Sequence, residues 1–152
     1  MLTLEIKKYI EKSILCWLAT SSKENQPNVS PKEIFTTYGE NSIVIANIAS
    51  PKSESNILEN EKVCVSFIDI LVQKGFQIHG KAEIIKEENP IFSILEKELV
   101  KMTGGNFPFK SIIKIQIDNS KPIIAPKYIL FPETTEEEQI ESAKKTYKLH
   151  NQ

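Results

Sequence analysis

The sequence predicts a mainly β protein, an antiparallel sheet or barrel of about six or seven strands with three or four peripheral helices. Three observations carry this reading. Short apolar or alternating runs recur along the chain, from "ILCWLAT" (14–20) to "SIIKIQID" (111–118). Several of these runs are joined by turns too short for a crossover helix, so neighbours must pair antiparallel. Neither GxGxxG nor GxxxxGK[ST] occurs, so the phosphate loops typical of parallel α/β sheets are absent.

Each element has its own signal. Leu2, Ile6, Tyr9 and Ile10 recur at helical spacing and predict a short amphipathic helix over 3–12. Residues 14–20 read as a buried strand. "SSKENQP" (21–27) is turn chemistry punctuated by Asn25 and Pro27. Residues 28–38 read as a second strand, which Pro31 restricts to an edge or an interruption. "GEN" turns the chain into a third strand at 42–47, and a helix follows at 51–59. The β-branched run at 62–69 and the run at 75–86 are further strands. In the latter, Gly75 and Gly80 mark bends or close backbone approaches. A helix is expected over 89–103, with Asn89 as cap, Pro90 at its first position and Gly104 as its stop. The alternation in 111–118 is that of a half-buried antiparallel strand. Residues 122–131 read as extended and twice broken by proline. The segment 134–149 reads as an acid-first, base-last helix with a Thr135/Glu138 capping box.

The totals exclude several function classes. A chain of 152 residues fits a single domain, 1–152, and can bury a core without staples. A net charge of −1 gives no global reason to bind nucleic acid or an acidic membrane. No apolar run approaches the roughly 18 residues of a spanning helix. The first residues, "MLTLEIKKYIEKS", lack the apolar core of a signal peptide, so a soluble cytoplasmic protein is expected. Cys16 and Cys64 lie far apart inside apolar runs and read as buried thiols. No His/Cys/Asp cluster has metal-ligand spacing. His79 sits mid-strand and reads as outward-facing; His150 lies near the end of the chain. All 19 basic residues are lysine. Without a guanidinium fork, any anion site must use lysine, hydroxyls and backbone N–H groups.

One stretch fits that requirement. In "NIASPKSESNILEN" (47–60) a strand ends, Ser50 stands where an N-cap would, and Pro51 fits the first helical position. Lys52 and Ser53 then fall in the first turn. The macrodipole disfavours a cation there unless an anion is held as well. Unpaired N–H groups, an ammonium and two hydroxyls could hold a phosphate monoester.

The order of motifs around this stretch resembles the FMN-binding split-barrel superfamily, the group named after pyridoxamine 5′-phosphate oxidase. The matching pieces are "SPKS" (50–53), "NILEN" (56–60) and "GFQIHGKA" (75–82). They stand for the family's S-x-K turn, its N-[IV]-x-x-N helix end and its G-[FY]-x-I-x-G-x-A strand. The tail from Tyr128 onward also resembles the C-terminal extension of a small branch of that superfamily. The resemblance spans roughly residues 5–118. It implies a homodimer of six- or seven-stranded antiparallel split barrels with FMN at the subunit interface. Lys52 and Ser53, with the N–H groups around Ser50, would then grip the FMN phosphate. Asn56 matches a position that steadies this turn. Ala46 and Asn47 match the strand end lying along the flavin and ribityl chain. Ser30, Pro31 and Lys32 match the segment under the isoalloxazine. A lysine there would favour negative charge on the reduced ring and raise its potential.

The departures bear on activity. Pyridoxamine phosphate oxidases proper pair arginine with lysine in the phosphate turn, hold the substrate phosphate with arginines and end in a segment containing tryptophan. Here Pro51 takes the arginine's place, arginine is absent, and the lone tryptophan is Trp17 in the first strand. This argues against vitamin-B6 oxidation. The leading expectation is a small oxidoreductase passing hydride or electrons from FMN to a small molecule. The alternatives are a non-catalytic FMN carrier, sensor or electron-transfer module; a related ligand in the same groove, deazaflavin or haem, the latter with His79 as axial ligand; or a protein dimer without cofactor. Residues 121–152 are expected to form an extended arm and a helix. In that arm Pro122, Pro126 and Tyr128 would lie across the partner's flavin.

Overall fold

The computed structural model describes residues 1–149 and shows seven strands and five helices. In chain order these are α1 (Leu4–Lys12), β1 (Cys16–Ser21), β2 (Pro27–Lys32), β3 (Phe35–Tyr38) and β4 (Ser42–Ala46). Then come α2 (Pro51–Glu59), β5 (Lys62–Asp69), β6 (Lys74–Lys86), α3 (Phe92–Thr103), β7 (Ser111–Ile124), α4 (Pro126–Leu130) and α5 (Glu136–Thr146). All strand pairs are antiparallel, in the order β2-β1-β5-β6-β7-β4-β3.

That order forces the sheet to close. β2 and β3 are the two edges, yet only Glu33 and Ile34 separate them in the chain. Flat, with about 4.8 Å between strands, the edges would lie about 29 Å apart. Two linking residues span at most about 11 Å between Lys32 and Phe35. The sheet therefore rolls up into a half-barrel, split between β2 and β3. The expected single strand over 28–38 is thus two strands. Its break falls after Pro31, where the chain leaves one edge for the other. As an edge, β2 tolerates Pro27 and Pro31 because one row of its amides has no ladder partner.

The barrel is filled by alternation. Leu18, Ile43, Ile45, Val65, Phe67, Ile78, Ile113 and Ile115 point inward and are almost fully buried. α1 covers one opening through Leu2, Ile6, Tyr9 and Ile10, the residues its periodicity singled out. Thr3 caps it, accepting from the Ile6 N–H at 3.2 Å. β4 is buried on both faces: Ile43 and Ile45 face the barrel, while Val44 and Ala46 meet Leu95, Leu99 and Phe92 of α3. α3 begins later than expected. Asn89 does not cap it but closes a turn before it, accepting from the Ile91 N–H at 3.1 Å, and Gly104 ends the helix with φ +59°.

The C-terminal region corrects the expected arm. β6 is 13 residues long and keeps β7 paired as far as Ile124. Residues 126–130 are helical, because Pro126 suits a first helical position. Tyr128 lies against its own barrel, donating to the Val72 carbonyl at 2.9 Å, with the Lys74 ammonium 4.4 Å from its ring centre. α5 carries the expected capping box and is tied to β6 by the Lys74–Glu136 ion pair at 2.8 Å. No helix among the described residues is long and apolar enough to cross a membrane. His79 is exposed on the outer face of β6, opposite Cys64, and His150 lies outside the described residues.

Gly75 and Gly80 are the close approaches their sequence setting suggested. A Cβ on Gly75 would sit 2.0 Å from the Phe67 carbonyl oxygen, and one on Gly80 would sit 2.3 Å from that of Gln116. Gly80 also flanks the register shift between β6 and β7. Gly75→Ala should destabilise the protein by about 2–4 kcal/mol, since a backbone carbonyl cannot step aside. A urea titration showing an unchanged midpoint would refute this.

Candidate functional site

The site is assembled by the same closure. The end of β2 lies near the start of β3, and β3 pairs with β4, so Lys32 comes beside the end of β4 and the start of α2. The Ala46 N–H donates to the Ile34 carbonyl at 3.0 Å and pins this junction. A groove of ≈ 410 Å³ opens there, lined by Pro31, Lys32, Ile34, Ala46, Ile48 and Phe107 among others.

α2 starts as the sequence suggests, with Ser50 at the N-cap and Pro51 at the first position. Its cap is open. The Ser50 hydroxyl does not cap the helix but donates to the Ile48 carbonyl at 3.1 Å and accepts from the Lys32 ammonium. The N–H groups of Lys52 and Ser53 therefore point out of the first turn without an intrahelical or capping partner. The Lys52 side chain is exposed, whereas Ser53 is buried with its hydroxyl 3.0 Å from that of Ser30.

Asn56 is also buried and braces the helix, donating to the Thr20 hydroxyl at 3.0 Å. Asn28 of β2 donates to the same oxygen at 3.4 Å. Asn47 turns away from the groove. Its amide donates to Glu54 at 2.5 Å and to the Ser111 hydroxyl at 2.9 Å, and its Oδ1 is buried without a partner. Ser111 donates to the same Glu54 carboxylate at 3.1 Å, and Lys86 lies 3.9 Å from it. The only acid in the first turn of α2 is thereby held on the side of β7 and β4.

Two groups near the groove are electrostatically perturbed. Lys32 is only 5% exposed, and burial lowers its pKa, partly offset by the neighbouring Cys16. Cys16, its register partner on β1, is fully buried, and burial pushes its thiol up to about 12 despite the opposing effect of Lys32.

The structure thus brings together Ser30, Lys32, Ser50 and Ser53 at one corner, with Lys52 at its rim. Pro31 and Ala46 line the adjoining groove. Asn47 and Asn56 are bracing residues. Sequence reasoning missed Thr20, Glu54 and Ser111, which hold the corner together, and the groove wall from Ile34, Ile48 and Phe107. The position of Glu54 in the first turn of α2 is the one signal that pointed to it. The donor set of two uncapped N–H groups with the Lys32 and Lys52 ammonium groups fits a phosphate monoester, while the exposed Glu33 borders the adjoining groove.

An antiparallel split barrel with an open helix start beside its split defines the class. The chain belongs to the pyridoxamine 5′-phosphate oxidase family, whose model matches residues 2–130. Similar solved structures include tagged HupZ of Group A Streptococcus, 22% identical over 82% of this chain and 96% of that one, with a TM-score of 0.71. An FMN-binding protein of Syntrophomonas wolfei is 19% identical over 77% of this chain and 82% of its own, with a TM-score of 0.63. General Stress Protein 26 of Bacillus anthracis is 19% identical over 78% and 91%, with a TM-score of 0.61. No curated protein matches the chain by sequence.

Two outcomes follow from the buried groups. Glu54→Ala should cost about 1–3 kcal/mol, because the Asn47 amide and Ser111 hydroxyl lose their acceptor. Denaturant unfolding checks this, and a loss below about 0.5 kcal/mol would refute it. For Cys16 the folded pKa lies above the unfolded value of 9.0. The unfolded chain then loses this proton first, so stability holds below pH 9.0 and falls toward about pH 12. Cys16→Ala should flatten that alkaline decline in thermal midpoint measured across the window.

Proposed function

We propose that this chain binds FMN and acts as a small flavoprotein oxidoreductase, passing hydride or electrons to a small-molecule acceptor. The observation that carries this reading is the open start of α2, joined through the Lys32–Ser50 contact to a groove of ≈ 410 Å³. The family supports it, as does the likeness to an FMN-binding protein.

In this reading Lys52 and the N–H groups of Lys52 and Ser53 hold the phosphate. Ser53 and Asn56 fix α2 to β2 and β1 through Ser30 and Thr20, so the phosphate corner is rigid before a ligand arrives. Ala46 and the backbone of Ser30–Lys32 form the wall along which the ring lies. Bound FMN would supply the redox chemistry itself. The protein's contribution is placement, and exclusion of water by Ile34, Ile48 and Phe107.

The working unit in this proposal is a homodimer with FMN at the interface. Half-exposed Trp17 and exposed Ile14 and Ile70 border a second, apolar groove of ≈ 530 Å³ on the outer face. Isolated exposed apolar residues are ordinary, but a contiguous patch is what a second copy would cover.

The visible spectrum of the purified protein, with mass identification of the molecule released on denaturation, tests this reading. A flavin spectrum and a mass of FMN are expected, with oxidation of a reduced nicotinamide donor when an acceptor is added. A Soret band, or no retained or added flavin bound, would overturn it. Bound FMN without turnover by any donor would make the chain a carrier.

A further inference from the structure

Lys32 is placed where a cation is hard to keep. It is 5% exposed, and among the described residues it forms no ion pair. Its ammonium reaches the Ser50 hydroxyl at the N-cap of α2, a nine-residue helix whose dipole is positive at that end. Two features of the same sign thus converge with one neutral oxygen between them. Among the described residues no neighbouring acid is paired with it. Cys16 is a neutral thiol below about pH 12, Lys52 adds a further positive charge, and Glu54 is engaged by Asn47 and Ser111, while Glu33 in the β2–β3 link borders the same groove but is exposed and forms no ion pair with Lys32. A buried ammonium kept only for structure would be paired.

We propose that Lys32 is the buried counter-ion of a phosphate monoester held at the start of α2, and that it sets the preference for phosphorylated over unphosphorylated ligands. This places Lys32 at the phosphate, where the sequence comparison had aligned it with the ring. Lys52 is solvated, so its charge is screened and contributes less. The Lys32 charge acts from a low-dielectric position and is worth more to an anion. Burial lowers the Lys32 pKa in the same direction, since its charged form lacks a partner until an anion supplies one. The inference rests on the flavin reading only for the molecule that carries the phosphate.

The test compares the full-length protein with Lys32→Met and Lys52→Met. FMN and riboflavin are titrated by flavin fluorescence, and thermal midpoints are recorded with and without inorganic phosphate. The wild type should prefer FMN over riboflavin by at least about 10-fold and gain thermal midpoint with phosphate. Lys32→Met should bring the two flavins to near-equal affinity and lose the phosphate response. Without ligand it should melt higher than the wild type, which a merely structural lysine would not allow. Lys52→Met should keep most of the preference. A Lys32→Met protein that retains the preference or the phosphate response, or that fails to fold, overturns the inference. If the wild type binds neither flavin yet phosphate still stabilises it through Lys32, the flavin reading fails and this one stands.

Discussion

The constraint on which the rest depends is the two-residue link between β2 and β3. These strands are opposite edges of a seven-stranded sheet, and a chain that short cannot join them unless the sheet rolls. Closing the roll makes the interior that Phe35, Phe67 and the isoleucines fill. It also sets the end of β2 beside the end of β4, so the corner where Ser30, Lys32, Ser50 and Ser53 meet is a by-product of barrel closure. Side chains distant in sequence, Ser30 with Ser53 and Lys32 with Ser50, meet there because the two edges must.

The corner is held by polar side chains in an otherwise apolar body, and nearly every one has a partner. Thr20 accepts from two amides, and Glu54 accepts from an amide and a hydroxyl. Holding Glu54 aside matters electrostatically. A free carboxylate in the first turn would satisfy the helix dipole and repel an anion. With it engaged, the dipole of α2 and the Lys32 ammonium converge on Ser50 with no acid paired to Lys32 among the described residues. A chain without arginine has few other ways to build such a site. Lysine offers a point charge, so in the proposed anion site the directional part of recognition would fall to backbone N–H groups, whose aim the helix fixes.

Much of the fold was legible. The helical spacing of Leu2, Ile6, Tyr9 and Ile10 named the face of α1 that is buried, and the alternation of 111–118 named the inward residues of β7. The Thr135/Glu138 box formed as read. The misreadings share a cause. Residues 28–38 carry a continuous β pattern, and only the need to change edges breaks them after Pro31. Residues 119–124 have weak alternation but stay in the sheet because β6 is long enough to pair with them. Pro126 and Tyr128 looked extended in isolation, yet tertiary contacts with Val72 and Lys74 fold that segment back onto its own barrel.

What the sequence determined by itself was local. It set the strands and helices through period and capping, the start of α2 through Ser50 and Pro51, and the reliance on lysine through the lack of arginine. What only the tertiary structure decided was which side chains meet. The burial of Lys32, its reach to Ser50 and the capture of Glu54 by Asn47 and Ser111 depend on strand order and sheet closure. No periodicity encodes those, because a pattern of alternation says which face a residue takes and nothing about the element it will face.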